Sequence, residues 1–206
     1  MAKNFAEIAF SDAVKELQEK NGSRKSYERM EKNQVRNGLS DNEIGFIGDR
    51  DSFYMASIGE GGFPYIQHRG GSKGFLKVLD SKRIGFIDFK GNMQFISVGN
   101  IATNNNVALI MVDYPTKTRL KIYAKAEIVE LKDNPALYDI LYLEDYEFRP
   151  DRMMILHIEA FDWNCPQHIT ARYTYEDVEE IFISQRAVIA KLEAEIAILK
   201  VQSKGR

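Results

Sequence analysis

Three segments decide the fold of this chain: Pro64-Tyr65-Ile66-Gln67-His68-Arg69-Gly70-Gly71, Gly91-Asn92-Met93-Gln94-Phe95-Ile96-Ser97-Val98-Gly99-Asn100 and Arg119-Leu120-Lys121-Ile122. Each joins a short apolar run to polar or basic residues and has turn-forming residues nearby. Short runs of this kind, rich in aromatic and β-branched side chains, are typical of strands rather than helices. The stretch from 64 to 127 is therefore predicted to be mostly β-structure.

Similar runs on both sides extend the predicted sheet to six or seven strands. The predicted strands are 53–58, 65–68, 84–88, 94–98, 107–112, 119–130 and 153–161. Short turns and few intervening helices favour a mainly β fold, an antiparallel β-barrel with peripheral helices, over a doubly wound sheet. The glycine-rich segments 45–48 and 59–62 lack the strand–turn–helix frame of a dinucleotide site, so we reject that alternative.

Predicted helices flank the barrel at both ends of the chain. Ser11 caps a first helix, a second covers 27–34, and Ser40 with Glu43 has capping-box spacing for a third. Pro135 marks another helix start. The predicted segments are 1–48 (helical, packed on the barrel), 49–172 (barrel) and 173–206 (C-terminal amphipathic helix). That last helix carries heptad spacing and can pack on its own barrel or on a partner subunit; its seam is Val178, Phe182, Gln185, Ile189, Leu192, Ile196 and Leu199.

The composition excludes several classes of protein. The chain has 206 residues and a formal net charge of −2, which gives no overall attraction to nucleic acid or to an acidic membrane surface. A single cysteine, Cys165, excludes an intrachain disulfide framework and favours a reducing compartment. The sequence shows neither a signal peptide nor an apolar run long enough to span a membrane. We expect a cytoplasmic protein.

Several polar groups at strand ends are candidate ligand contacts. Arg69 precedes a glycine pair and Lys73, an arrangement that suits a phosphate, although a surface charge would explain it too. Asn100 lies where a helix could begin and offer backbone N–H groups to an anion, or it simply caps the turn. Arg119 and Lys121 share one face of a strand, which is either a phosphate clamp or a solvated edge.

The segment Trp163-Asn164-Cys165-Pro166-Gln167-His168 combines aromatic, amide, thiol and imidazole groups. Cys165 and His168 are too few ligands for zinc, and no helix N-terminus lowers the thiol pKa for nucleophilic catalysis. We therefore expect no metal site and interpret the segment as one that closes over a bound ring.

The sequence resembles the pyridoxamine 5′-phosphate oxidase-like family, in particular its flavin-nucleotide-binding branch, in the segments 53–57, 64–71, 74–80, 97–100, 113–115, 119–122 and 164–169. The resemblance extends from about residue 22 to the final helix, and it implies a split β-barrel homodimer with FMN at the subunit interface. Arg69 would face the FMN phosphate, and residues 163–168 would come from the other subunit. The implied cofactor contacts are Gln67, His68, Arg69, Gly70, Gly71, Lys73, Phe95, Ile96, Ser97, Asn100, Arg119, Lys121, Trp163, Asn164, Cys165, Gln167 and His168.

Two residues depart from the family pattern: Met93 stands where Arg is usual, and Tyr123 where Gly is usual. The basic substrate clamp of true pyridoxamine phosphate oxidases is also missing, so the resemblance favours FMN binding over vitamin B6 oxidation. The function it implies is a flavin-dependent oxidoreductase acting on a small molecule. Two alternatives stay open: a non-catalytic flavin-binding or storage module, and a haem-binding split barrel with His68 or His168 as ligand.

Overall fold

A computed structural model describes residues 4–33, 37–164 and 166–204. Seven antiparallel strands form one sheet in the order β2-β1-β5-β6-β7-β4-β3. The strands are β1 Ser52–Ile58, β2 Pro64–Gly70, β3 Lys77–Asp80, β4 Arg83–Phe89, β5 Asn106–Asp113, β6 Thr118–Val129 and β7 Pro150–Asn164. The predicted mainly β class with peripheral helices is confirmed.

The sheet curves so that strands far apart in the order meet across one core. Phe53 of β1 packs against Phe86 of β4 with ring centroids 5.4 Å apart, although three strands separate β1 from β4 in the order. Alternation along each strand produces this core, since successive side chains point to opposite faces. On β1, for example, Phe53 and Met55 are fully buried while Tyr54 between them is exposed.

Helices cover the margins of the sheet: α1 Phe5–Ala9, α2 Asp12–Lys20, α3 Arg24–Asn33, α4 Asp41–Gly48, α5 Ile96–Thr103 and α6 Pro135–Leu141. The predicted caps are confirmed at Ser11, which accepts from the Val14 N–H, and at Ser40 with Glu43. The helix predicted at Pro135 is also present, with Asn134 as its N-cap.

One predicted strand is wrong. The run 94–98 alternates like a strand, but Phe95 has a left-handed φ of 53° and α5 begins at the next residue. The helix therefore starts four residues before Asn100, where the sequence analysis placed a possible helix start. Strand β3 and helix α1 were not predicted because both are only four or five residues long. Residues 162–164, which follow the predicted strand 153–161, continue β7.

The chain forms two compact units, described separately. The first contains the sheet and helices α1 to α6. The second contains the turn 114–117 and the chain from 167 onward, including α7 Tyr175–Lys204. Within it, the Arg172 guanidinium lies 4.9 Å from the centre of the Tyr114 ring, and Thr174 with Asp177 caps α7. The three segments predicted from sequence stay a prediction.

Candidate functional site

A small cavity lies on the inner side of β2, where β4 ends and α5 begins. Its volume is about 60 Å³. Five of the predicted cofactor contacts line it: Gln67, Arg69, Phe95, Ile96 and Ser97. We call this group, together with Asp88 and Arg152, the Arg69 site.

A buried carboxylate organises the charges of the Arg69 site. Asp88 is only 4% exposed and accepts hydrogen bonds from Arg69 Nη1 and from Arg152 Nη1, the latter at 3.2 Å. Arg152 also contacts Asp151 at 2.6 Å. Burial lowers the pKa of the Arg69 guanidinium, while Asp88 acts in the opposite direction. An arginine nevertheless stays protonated in proteins, so two fixed cations face the cavity.

One donor of Arg69 is left without a hydrogen bond. Its Nε atom is buried and has no hydrogen-bond partner among the described residues. An unsatisfied buried donor carries a desolvation cost of about 1–3 kcal/mol, more for a charged group, which a ligand acceptor would relieve. An acceptor such as a phosphate oxygen would satisfy Nε if the guanidinium turned toward the cavity that Arg69 lines.

The first turn of α5 supplies further donors beside Arg69. Met93 and Phe95 both have left-handed φ values, 60° and 53°, which turn the chain sharply into the helix. The first N–H groups of a helix have no partner within it and carry a partial positive charge. Ser97, which is 3% exposed, donates through Oγ to Gln67 Oε1 at 2.7 Å and so joins α5 to β2.

Apolar groups lie around the same cavity. The Phe95 ring is half exposed, and the Arg152 guanidinium lies 5.3 Å from its centroid. Ile96 is also exposed. Asn100 lies further along α5 and donates to Ser57 Oγ at 3.1 Å, so it is not part of the cavity lining.

Other predicted contacts lie on the opposite, outer face of the sheet. His68 points away from Arg69 and packs edge-on against Tyr54, with ring centroids 5.4 Å apart. Lys121 lies 3.5 Å from Asp162 and 4.8 Å from the centre of the Phe5 ring. Arg119 lies two residues before Lys121 on β6, so both side chains point to the same face of the sheet. A single chain therefore does not bring Arg69 together with Arg119 or Lys121.

The glycine pair and Lys73 have structural explanations. A Cβ on Gly71 would come within 2.8 Å of the Phe75 side chain, and one on Gly70 within 2.9 Å of His68. Neither glycine has a positive φ. Lys73 is 70% exposed and pairs with Asp49 at 2.9 Å, an interaction that lowers the pKa of the Asp49 carboxyl.

The segment predicted to close over a ring is distributed between the two units. The Trp163 indole donates to Glu43 Oε1 at 2.7 Å and packs edge-on against Phe46, so it fastens α4 to β7. Asn164 lines a second cavity of about 380 Å³ under α1, together with Lys121. Cys165 lies outside the described residues. Gln167 and His168 belong to the second unit, where His168 has a φ of 61°.

Two central residues of the Arg69 site, Asp88 and Arg152, were not predicted from the sequence. The signal for Asp88 was present, because a carboxylate ends the otherwise apolar strand 84–88. A buried charge at such a position needs a cationic partner. Nothing local in the sequence marks Arg152, since its role depends on the pairing of β7 with β4.

No protein-family model matches this chain, and no curated protein matches it. Solved structures do. A candidate pyridoxamine 5′-phosphate oxidase from Lactobacillus delbrueckii is 22% identical, covers 63% of this chain and 97% of its own, and has a TM-score of 0.48. A Clostridium acetobutylicum protein related to general stress protein 26, of the pyridoxinephosphate oxidase family, is 15% identical over 66% of this chain and 93% of its own, with a TM-score of 0.45. HutZ, the haem storage protein of Vibrio cholerae, is 16% identical over 59% of this chain and 92% of its own, with a TM-score of 0.38.

The first two neighbours carry the name of the family that the sequence resembles, in agreement with the predicted resemblance. All three identities and TM-scores are low, so the similarity concerns the arrangement of strands and decides neither cofactor nor activity. Across the described parts of the chain, no helix is both long and apolar enough to cross a membrane. The same residues contain no cluster of three or more His, Cys, Asp or Glu side chains suited to a metal ion.

Proposed function

We propose that this protein binds FMN at the Arg69 site, within a homodimer, and acts as an FMN-dependent oxidoreductase on a small molecule. One observation carries the proposal: Arg69, whose buried Nε has no hydrogen-bond partner among the described residues, lines the same cavity as the first turn of α5. Guanidinium groups and helix N-termini are two of the commonest protein partners of phosphate. The single cysteine supports the cytoplasm as the proposed compartment.

The residues present fit the two ends of FMN. Arg69 and Arg152 would hold the phosphate together with the N–H groups at the start of α5. Asp88 would keep both guanidinium groups in position, because it bonds each of them. Gln67 and Ser97 would offer an amide and a hydroxyl to the polar edge of the ring system, and Phe95 an apolar surface. FMN itself would supply the redox chemistry.

The cavity is too small to enclose FMN within one chain. Its volume of about 60 Å³ is well below the roughly 300–1,000 Å³ of typical cofactor sites. We therefore propose that a second copy provides the missing wall, including Arg119, Lys121 and the segment 163–168. The outer face of the sheet is suited to contact with a second copy because Tyr54 and Ile66 are exposed there, Ile66 at 65%.

The experiment is a visible spectrum of the purified protein, followed by titration of the FMN-free form with FMN. We expect flavin absorbance and saturable binding that is lost in Arg69→Ala. Arg83→Ala is the matched control, because Arg83 also pairs with an aspartate, Asp80, but at an exposed position. A protein that binds no FMN, or binds it equally well without Arg69, would overturn the proposal.

Catalysis is tested separately from binding. Single-turnover reduction of the bound flavin by NADH or NADPH, or oxidation of a B6 vitamer under air, would support an oxidoreductase. Tight FMN binding without turnover in any of these assays would instead support the non-catalytic flavin-binding or storage module.

Haem is the second candidate, and one observation favours it. The imidazole of His68 is exposed on the outer face beside Tyr54 and Ile66, where an axial ligand and an apolar surface lie together. Haem titration would then give a Soret band that disappears in His68→Ala and persists in Arg69→Ala. The FMN proposal predicts the reverse dependence for flavin.

A further inference from the structure

The longest helix of the chain presents an exposed apolar stripe. Helix α7 has 30 residues, which corresponds to about 45 Å. Six apolar side chains of its heptad seam are between 36% and 62% exposed: Val178, Phe182, Ile189, Leu192, Ile196 and Leu199. A continuous exposed stripe of this kind is typical of an interface rather than of an isolated surface helix.

We propose that α7 pairs in antiparallel orientation with α7 of a second copy of this chain. The spacing assigns Phe182, Ile189 and Ile196 to heptad position a, and Val178, Gln185, Leu192 and Leu199 to position d. In an antiparallel pair each a residue faces a d residue. Phe182 then faces Leu199 of the second copy, and Ile189 faces Leu192. Gln185, the polar residue in the seam, faces Ile196.

The charges beside the seam select this orientation. Position e is occupied in turn by Glu179, Arg186, Glu193 and Lys200. In the register above, e residues face e residues, so Glu179 lies opposite Lys200 and Arg186 opposite Glu193. Every one of these contacts joins opposite charges, and such flanking pairs set partner choice and orientation in coiled coils.

A parallel pair would use the same charges poorly. There, position g of one helix faces position e of the next heptad on the other. Ile181 and Val188 occupy position g, so they would face Arg186 and Glu193. Of the three g residues, Glu195 alone would face an opposite charge, on Lys200. Neither Arg186 nor Glu193 has an opposite charge three or four positions along its own helix, so intrahelical pairing does not account for them.

Cysteine cross-linking in the full-length Cys165→Ser protein tests the orientation. With Phe182→Cys and Leu199→Cys together, oxidation should give a disulfide-linked dimer. With Phe182→Cys alone it should not, because two copies of residue 182 in this register are about 25 Å apart along the helix axis. Efficient cross-linking of the single variant would show a parallel pair and overturn the proposal.

Charge reversal tests the flanking contacts by sedimentation equilibrium of the full-length protein. Arg186→Glu should weaken the self-association at least tenfold, and adding Glu193→Arg should restore it. Lys191→Glu, which makes the same change in net charge outside the seam, should have little effect. Unchanged association in Arg186→Glu, or a fall in Tm without a change in association, would overturn the proposal. The charge-reversal variants are measured in the Tyr54→Lys, Ile66→Lys background, so that association through the sheet does not contribute, and neither test depends on FMN.

Discussion

The two faces of strand β2 differ although their residues alternate along one short segment. The inner face carries Gln67 and Arg69, which are bonded to Ser97 and Asp88 within a cavity. The outer face carries Ile66 and His68, which are exposed beside Tyr54. The inner face is thus an organised polar site with one buried donor unsatisfied among the described residues, and the outer face is exposed at Tyr54 and Ile66.

This difference shows why neighbouring residues cannot share one intrachain site. His68 and Arg69 are consecutive, yet the two-residue period of a strand sends them to opposite sides of the sheet. Lys121 is likewise on the outer side, paired with Asp162. A cofactor that contacts both sets must therefore be held between two copies, with the inner face of one subunit and the outer face of the other.

The largest effect is expected from Arg69→Ala. FMN affinity should fall about a hundredfold, because charge-assisted hydrogen bonds to phosphate are lost, roughly 3 kcal/mol. The free energy of unfolding should also fall by about 3 kcal/mol, since Asp88 stays buried with one cation fewer. Isothermal titration and urea unfolding measure the two quantities.

Lys121→Met is the counterpart of Arg69→Ala on the outer face. If it abolishes FMN binding while Arg69→Ala does not, the assignment of the phosphate to the inner face is wrong. Arg83→Ala controls for the loss of any arginine, and its exposed pair with Asp80 should change stability by less than about 1 kcal/mol.

The next largest effect is expected on the association of two copies through the outer face. Replacing both Tyr54 and Ile66 by Lys should abolish association through the sheet, because two charges would be placed in an apolar contact. The fold should be retained, since both side chains are already exposed. Light scattering in the Arg186→Glu background, in which α7 pairing is weakened, measures the mass, and Ile140→Lys on α6 is the matched exposed control. Full association in the double variant would show that this face is not the contact surface between copies.

The strands could be predicted from the sequence, whereas the contacts of the Arg69 site could not. Alternation and turn residues sufficed for β1, β2 and β4 to β7, since a strand's burial pattern is local. They failed at 94–98, where the left-handed Phe95 starts a helix in an alternating sequence. Asp88 and Arg152 could not be paired from sequence, because their contact depends on strand register and on the curvature of the sheet.

A smaller effect on FMN affinity is expected from a buried hydroxyl of the inner face, and a matched serine distinguishes loss of binding from loss of packing. Ser97→Ala removes the hydroxyl that bonds Gln67, which should weaken FMN binding by about 1 kcal/mol, roughly fivefold. Ser57→Ala is the control, because Ser57 is equally buried and bonds Asn100 outside the cavity. FMN titration of both variants checks this, and equal losses of affinity in the two would place the effect in packing rather than in the site.

The smallest expected effect is on thermal stability, and it arises in the N-terminal helices beside the outer face. Arg24 binds Glu31 through two hydrogen bonds of 2.9 and 2.8 Å, and Asn4 caps α1 while donating to the Glu31 carbonyl at 2.6 Å. This arrangement places Phe5 against Tyr123 on the outer face, with ring centroids 4.9 Å apart. The hydrogen bonds from Arg24 lower the pKa of the Glu31 carboxyl.

A carboxyl whose pKa is lowered in the folded state stabilises the fold at every pH above its unfolded-state pKa. This contribution is lost as the pH falls through the folded-state pKa. Glu31→Gln should therefore lower Tm slightly at pH 7, and the difference should shrink below about pH 4.5, the ordinary value for glutamate. It should disappear once the pH is below the lowered pKa. Thermal unfolding from pH 7 to pH 3 checks this, with the exposed Glu28→Gln of the same helix as control. A difference that is constant across this range would mean that the Glu31 charge does not hold these helices against the sheet.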